Sequence, residues 1–113
     1  MTLACAAGPT STSEISAEEL LAVAGTPEAP LVLDVRSADE SAGGHVPGAR
    51  NVSFDEVGAR LGELGSPREV VVYCESGRRA AKASAVLQEA GFTVRHLTGD
   101  MKAWREAGHP TEP

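Results

Sequence analysis

The sequence is poor in several residue types, and each shortage excludes a class of protein. Two cysteines among 113 residues are too few for the disulfide framework of a small secreted domain. No apolar run approaches the ~20 residues that a membrane-spanning helix needs. Ten basic residues face 16 acidic ones, and the net charge of −6 argues against a nucleic-acid surface. We expect no metal site, because the histidines are scattered and lack a metal-ligand spacing to either cysteine: His45, His96 and His109.

The most informative stretch is a β-branched run that leads directly into a cysteine. Residues 70–73 (Val-Val-Val-Tyr) suit a strand buried on both faces, and Cys74 follows at its carboxyl end. Open α/β sheets bind their ligands at this edge. An alanine-rich helix begins soon afterwards, so the N–H groups of a short loop and of the helix N-terminus can converge on one point.

Arg78 and Arg79 add positive charge at the same point. Cysteine titrates near ~8.5 when free, and helix N-termini or neighbouring cations lower this to roughly 3.5–7.5. We therefore expect a reactive thiolate at Cys74, the candidate catalytic residue. The loop expected to bind a small anion consists of Glu75, Ser76, Gly77, Arg78 and Arg79.

The remaining chain alternates between strand and helix patterns. Strands are predicted at Ile15 and at 31–35, 51–52 and 94–97. Helices are predicted after capping boxes at 16–19 and 53–56, over 78–90, and over 100–107 with Met101 and Trp104 packed inward. This alternation predicts an α/β fold, with a mainly parallel sheet of about five strands and helices on both faces.

The first 13 residues are small, polar and alanine-rich. We expect residues 1–13 to form a flexible leader and residues 14–113 a single domain. Residues 2–5 faintly resemble the end of a bacterial lipoprotein signal, but almost no apolar segment precedes them. A cytoplasmic location is therefore expected. An exported or lipid-anchored form stays open if a signal segment was removed before Cys5.

Two charged residues follow the predicted strand 31–35 closely. Asp34 and Arg36 are separated by one residue, so both can point to the same side of an extended chain. Arg36 could contact an anion at the site. An ion pair with Asp34, Asp39 or Glu40 that fixes the loop is favoured, because paired charges near strand ends are usually architectural.

Three stretches together resemble the rhodanese-like sulfurtransferases. The first is Cys74-x-x-Gly77-x-Arg79; the second comprises residues 31–36, 44–49 and 51; the third comprises 97–101, 103–104, 107–108 and 110. They occur in the family's order and cover the chain from about 14 to 110. The resemblance implies a three-layer rhodanese-like fold, no cofactor, and a structural role for His45, which could otherwise serve as a base. Ser41 stands where the family often has an aromatic residue.

Loop length separates sulfur chemistry from phosphate chemistry. The C-x5-R loop of phosphatases would place arginine at position 80, where this chain has Ala80, and the arginine is Arg79 instead. A loop shorter by one residue fits a single sulfane sulfur better than a phosphoryl group. The family divides in the same way, and no aspartate in the loop could act as a general acid.

The resemblance and the thiolate chemistry together imply a thiosulfate:cyanide-type sulfurtransferase with a persulfide on Cys74. Thiosulfate or a related persulfide would donate sulfur, and cyanide, a thiol or a partner protein would accept it. Arg78 and Arg79 would attract the donor, and spacing selects Arg79 as the one facing it. Glu75 opposes an anion unless it pairs with one of these arginines. A persulfide carrier, a non-catalytic module that binds a partner protein, and a redox-sensing cysteine are the alternatives.

Overall fold

The chain forms a five-stranded parallel sheet. The computed structural model describes residues 13–113. The strands are Ser13–Ile15 (β1), Leu31–Asp34 (β2), Arg50–Asn51 (β3), Glu69–Tyr73 (β4) and Thr93–Leu97 (β5). They lie in the order β1-β5-β4-β2-β3, and every neighbouring pair is parallel. The predicted α/β fold with about five mainly parallel strands is confirmed.

Helices cover both faces of this sheet. They are Ala17–Val23 (α1), Ala38–Ala42 (α2), Arg78–Glu89 (α3) and Asp100–Glu106 (α4), and a 3-10 segment spans Gly58–Leu64. One apolar cluster joins one face of the sheet to α3 and the 3-10 segment, and it includes Val72 and Leu87. A second cluster on the opposite face includes Val71 and Trp104. The predicted three layers are therefore present.

The central strand β4 positions the cysteine. Residues 70–73 have an exposed fraction of 0%, as expected for a parallel strand covered on both faces. Each apolar side chain of this size contributes roughly 1.5–3 kcal/mol when fully buried. The strand is thus firmly held by its neighbours β5 and β2, and its carboxyl end places Cys74 at a fixed point.

The two predicted capping boxes have opposite outcomes. The Ser16 hydroxyl accepts the N–H of Glu19, and the Glu19 carboxylate accepts the N–H of Ser16, so the box at the start of α1 is confirmed. The box predicted over 53–56 is wrong. The Ser53 hydroxyl donates to the Asp55 carboxylate instead, and the chain continues through turns into the 3-10 segment.

The first described residue, Ser13, lies in β1. Apart from Ser13, the predicted leader lies outside the described residues, as does Cys5. Ser13 already pairs with Arg95, so β1 begins one residue before the expected start at position 14. No helix within residues 13–113 combines the length and the apolar character that crossing a membrane requires.

Candidate active site

Cys74 follows β4 directly, and the loop after it surrounds its sulfur. The residue is 1% exposed. Its Sγ accepts the N–H of Gly77 at 2.9 Å and the N–H of Ala80 at 3.4 Å. Two main-chain donors thus converge on the sulfur, where they stabilise negative charge.

Gly77 makes this convergence possible. Its φ of 111° lies in the left-handed region, which glycine adopts without steric cost. A β-carbon at this position would lie only 3.1 Å from Oδ2 of Asp100. Gly77 precedes α3, a helix of 12 residues, whose N-terminus adds partial positive charge beside the sulfur.

The start of α4 holds the main chain on both sides of Cys74. The Cys74 N–H donates to Oδ1 of Asp100 at 3.0 Å. The Cys74 carbonyl accepts the N–H of Met101 at 3.0 Å. Asp100 is buried, and its Oδ1 lies 2.9 Å from Nε2 of His96. The peptide groups that flank the thiol are therefore fixed by α4 rather than by the loop alone.

Arg79 is bound to a carboxylate from α2. Its guanidinium donates to the two oxygens of Glu40 at 2.7 and 3.0 Å. This contact, together with the N–H of Ser37, lowers the pKa of Glu40 to about 2. The same pair raises the pKa of Arg79, and a smaller electrostatic contribution comes from Cys74. Arg79, the arginine that spacing selects, is thus near the sulfur, but its guanidinium is already bound to Glu40.

Glu75 also has partners, although they are not the loop arginines. Its carboxylate accepts from Arg105 of α4 and lies 3.6 Å from Nη1 of Arg36. The hydrogen bond that Arg105 donates to Glu75 raises the pKa of Arg105. Ser76 and Arg78 are exposed, and Arg78 forms no ion pair within residues 13–113. Arg78 is therefore the loop cation that is not already paired.

Asp34 and Arg36 form a buried ion pair next to this loop. Nη2 of Arg36 lies 2.7 Å from Oδ2 of Asp34. The Tyr73 hydroxyl donates to the same carboxylate and accepts the N–H of Val46. Burial raises the pKa of Tyr73, so its hydroxyl stays a neutral donor. This geometry matches the ion pair favoured from the sequence, with Arg36 also reaching toward Glu75.

His45 lies in the loop after α2. Its Nδ1 lies 3.0 Å from the Ser41 carbonyl, and its Nε2 lies 3.9 Å from the Glu112 carboxylate. Its main chain also pairs with Glu112. These contacts tie the loop to the C-terminal segment, in keeping with the structural role that the resemblance implies. Across residues 13–113, no three His, Cys, Asp or Glu side chains cluster in a way that could hold a metal ion.

Four residues that sequence reasoning did not assign to the site contact the loop or support it: Glu40, His96, Asp100 and Arg105. A usable signal existed for Glu40, because Ser37 and Glu40 have the spacing of a capping box and start α2. His96 and Asp100 are four residues apart across the end of β5, a spacing that no simple helix or strand pattern singles out. No local pattern indicates the contact of Arg105.

A family model and several known proteins match most of this chain. The family model described as "Rhodanese-like domain" matches residues 16–107. A protein named sulfurtransferase from Allochromatium vinosum is 34% identical over 99 residues, which span 87% of this chain and 92% of that protein. The HTH-type transcriptional regulator Rv0324 of Mycobacterium tuberculosis is 38% identical over 100 residues, which span 87% of this chain and 44% of that protein.

A solved structure shares the fold. The crystal structure of a thiosulfate sulfurtransferase from Pseudomonas aeruginosa matches with a TM-score of 0.80 at 33% identity, over 90% of this chain and 19% of that one. This chain thus spans less than half of the regulator and of the Pseudomonas protein, and nearly all of the Allochromatium one. Since the family model covers most of its length, the chain belongs to the rhodanese-like domain family.

Proposed function

We propose that this protein transfers a sulfane sulfur through a persulfide on Cys74, from thiosulfate or a related persulfide donor to cyanide or a thiol. The observation that carries the proposal is the convergence of the Gly77 and Ala80 N–H groups on the buried Cys74 sulfur. Family membership and the similarity to a protein named sulfurtransferase support sulfur transfer in general. The name of the Pseudomonas structure supports thiosulfate as the donor.

The reaction has two displacement steps. In the first, the Cys74 thiolate attacks the outer sulfur of thiosulfate, a new S–S bond forms, and the S–S bond of thiosulfate breaks so that its electron pair leaves with sulfite. In the second, cyanide or a thiolate attacks the outer sulfur of the persulfide, and the electron pair returns to Cys74. The loop N–H groups would stabilise the negative charge in both steps. This covalent route predicts ping-pong kinetics.

The size of the loop supports sulfur as the transferred group. Helix α3 begins at Arg78, and the Ala80 N–H already points at Sγ. The oxygens of a tetrahedral phosphoryl group need a wider ring of donors and a bidentate arginine, which we expect a loop that ends at Arg78 to fit less well. Glu75 is the carboxylate in the loop, and its pairing with Arg105 makes it a poor general acid.

The charges around the loop would act on an anionic donor unequally. Arg78 is exposed and offers an unpaired positive charge. Arg79 would first have to release Glu40, and exposed pairs of this kind contribute only about 0.2–1 kcal/mol. A dianionic donor could therefore displace the carboxylate at modest cost and take the guanidinium fork for itself.

A persulfide carrier that serves a partner protein is the second candidate. Much of the positive charge near the thiol is neutralised, since Glu40 pairs with Arg79 and Glu75 pairs with Arg105. Such a surface is less suited to a dianion than to a protein-borne persulfide. The similarity to one part of the regulator Rv0324 also fits a domain that acts for another domain or protein. Thiosulfate turnover would then be slow.

Sulfur transfer from thiosulfate to cyanide, followed as thiocyanate, tests the proposal. Cys74→Ser should abolish the reaction, whereas Cys5→Ser is the matched control and should retain it. Double-reciprocal plots at several acceptor concentrations should give parallel lines. Thiocyanate formation by Cys74→Ser at the wild-type rate would rule the route out. A wild-type protein inactive with thiosulfate that accepts sulfur from glutathione persulfide would favour the carrier.

A further inference from the structure

Asp100 occupies a position that is unfavourable for an aspartate. Its φ of 58° makes it the one non-glycine residue with positive φ in residues 13–113. It is also 2% exposed. A β-carbon in the left-handed region and a buried carboxylate are both costly unless neighbouring groups compensate for them. Backbone outliers of this kind cluster at functional sites, and this one contacts the nucleophile.

The Asp100 carboxylate binds the start of the Cys74 loop and lies beside Gly77. Oδ1 accepts the Cys74 N–H at 3.0 Å. Oδ2 lies 3.1 Å from the point that a β-carbon on Gly77 would occupy. Asp100 therefore holds the residue that carries the thiol, and its Oδ2 lies beside the residue whose N–H reaches the thiol at 2.9 Å.

His96 is placed to balance the charge of Asp100. Its Nε2 lies 2.9 Å from Oδ1 of Asp100, and its side chain is 24% exposed against 2% for Asp100. The hydrogen bond to Asp100 raises the pKa of His96 above its ordinary value of 6.5. Within residues 13–113, the other charged group that faces the ring is Glu14 of β1, whose Oε2 lies 4.0 Å from Nδ1.

The surroundings of His96 let it exchange a proton with water. The ring lines a surface cavity of about 330 Å³ that Glu14 also lines. The loop and α3 contribute uncharged residues to the same wall: Gly77, Ala81, Ser84, Ala85 and Gln88. Asp100 and Glu14 are therefore the charged groups that act on the ring within residues 13–113, and the Cys74 N–H shares the Asp100 oxygen with it.

The positions of Asp100 and Cys74 create an electrostatic conflict. A buried carboxylate next to the nucleophile opposes the negative charge that the sulfur must carry during attack. A protonated His96 cancels that charge and leaves the Asp100 oxygen free to accept the Cys74 N–H. The pair can thus hold the loop firmly without weakening the thiolate.

We propose that Asp100 is a positioning residue for Cys74 and that His96 acts through Asp100 by neutralising its charge. The inference rests on the proposed function only in taking Cys74 as the nucleophile. It assigns a joint role to two residues that lie beyond the Cys74 loop itself.

The test uses alkylation of Cys74 by iodoacetamide in the resting protein, on a Cys5→Ser background, so that it does not depend on sulfur transfer. At about pH 7, His96→Gln should slow alkylation roughly five-fold, because Asp100 loses its counter-charge. Asp100→Asn keeps an oxygen acceptor, and asparagine tolerates positive φ, so its rate should stay within about two-fold. Glu14→Gln is the matched control and should change little.

The double variant His96→Gln/Asp100→Asn separates the proposal from a purely structural role. Its rate should return to that of Asp100→Asn alone, since no uncompensated carboxylate is left. The ratio of wild-type to His96→Gln rates should fall toward one at high pH, where wild-type His96 is also neutral. The corresponding ratio of Asp100→Asn to the double variant should stay constant with pH, because no carboxylate is left for His96 to neutralise. Circular dichroism of each variant checks the fold.

Two results would overturn the proposal. One is an unchanged alkylation rate in folded His96→Gln. The other is a double variant whose fold-decrease in alkylation rate equals the product of the decreases in the two single variants. In sulfur transfer, kcat should follow the alkylation order while the KM for thiosulfate stays within about two-fold. If the wild type fails to transfer sulfur but the alkylation pattern holds, the proposed donor chemistry fails and the positioning role stands.

Discussion

Replacing Glu40 by glutamine isolates the charge that occupies Arg79. The Glu40 Oε1 accepts the N–H of Ser37 at 3.0 Å and so completes the capping box of α2. Glutamine at the same position of a capping box makes this bond as well. The variant should therefore keep α2 in place, while the contact with Arg79 loses its ionic attraction and the hydrogen bond that Nη2 donates to Oε2.

The expected size of the effect follows from the exposure of the pair. The side chains of Arg79 and Glu40 are 30% and 37% exposed, so water screens their attraction even though the pKa of Glu40 falls to about 2. Pairs this exposed contribute about 0.2–1 kcal/mol. If thiosulfate takes the place of the carboxylate, Glu40→Gln should lower its KM by about 1.5- to 5-fold at an almost constant kcat.

The assay is steady-state thiocyanate formation at low ionic strength, with circular dichroism to check the fold. Glu63→Gln is a matched control, because Glu63 pairs with Arg60 at 2.9 Å on the surface of the 3-10 segment and is 52% exposed. Its KM should equal that of the wild type. Added salt should shrink the difference between Glu40→Gln and the wild type. An increased KM would refute the reasoning, because Glu40 would then orient Arg79 for the donor instead of competing with it.

Two further predictions concern the loop and its support. Inserting glycine between Gly77 and Arg78 should move the Ala80 N–H away from Sγ, now 3.4 Å distant, and lower kcat/KM for thiosulfate at least about ten-fold. The same insertion after Gly65, in an exposed turn, should leave kcat/KM unchanged. Equal kcat/KM values in the two insertion variants would show that the length of the Cys74 loop does not affect the reaction. Because folding raises the pKa of His96, its stabilising contribution is complete below about pH 6.5 and is lost as the pH rises through the raised value. The melting temperatures of wild type and His96→Gln should therefore differ most near about pH 6 and converge near about pH 9; a gap that stays constant with pH would contradict this.

The fold and the position of the thiol could be predicted because both depend on local patterns. A continuous β-branched run indicates a strand buried on both faces, and Cys74 falls at its carboxyl end by sequence alone. Helical spacing correctly predicts that Met101 and Trp104 face the core. Alternation of strands and helices leaves few arrangements other than a parallel sheet covered on both faces.

The partners of the loop charges could not be predicted, because they come from distant parts of the chain. Glu40 and Arg79 are 39 positions apart, and Glu75 and Arg105 are 30 apart. Which carboxylate meets which guanidinium depends on how α2 and α4 pack beside the loop, and no short-range spacing records this.

Short helices, competing side-chain hydrogen bonds and the burial of a charged residue also cannot be predicted from sequence patterns. Helix α2 has five residues, too few for a helical period to show. The region after Ser53 has the letters of a capping box, yet side-chain pairing between Ser53 and Asp55 competes with it. Asp100 follows a glycine at a helix start, where an aspartate is normally solvated. Its burial is visible only once β5 and the Cys74 loop are assembled around it.

Intact-mass spectrometry of the protein after incubation with thiosulfate tests the persulfide on Cys74 most directly. We expect the mass to increase by one sulfur atom in the wild type and in Cys5→Ser, and to stay unchanged in Cys74→Ser. Cyanide should remove the added sulfur as thiocyanate and restore the original mass. A wild-type protein that turns over thiosulfate without ever carrying the extra sulfur, or an extra sulfur that persists in Cys74→Ser, would contradict a persulfide on Cys74.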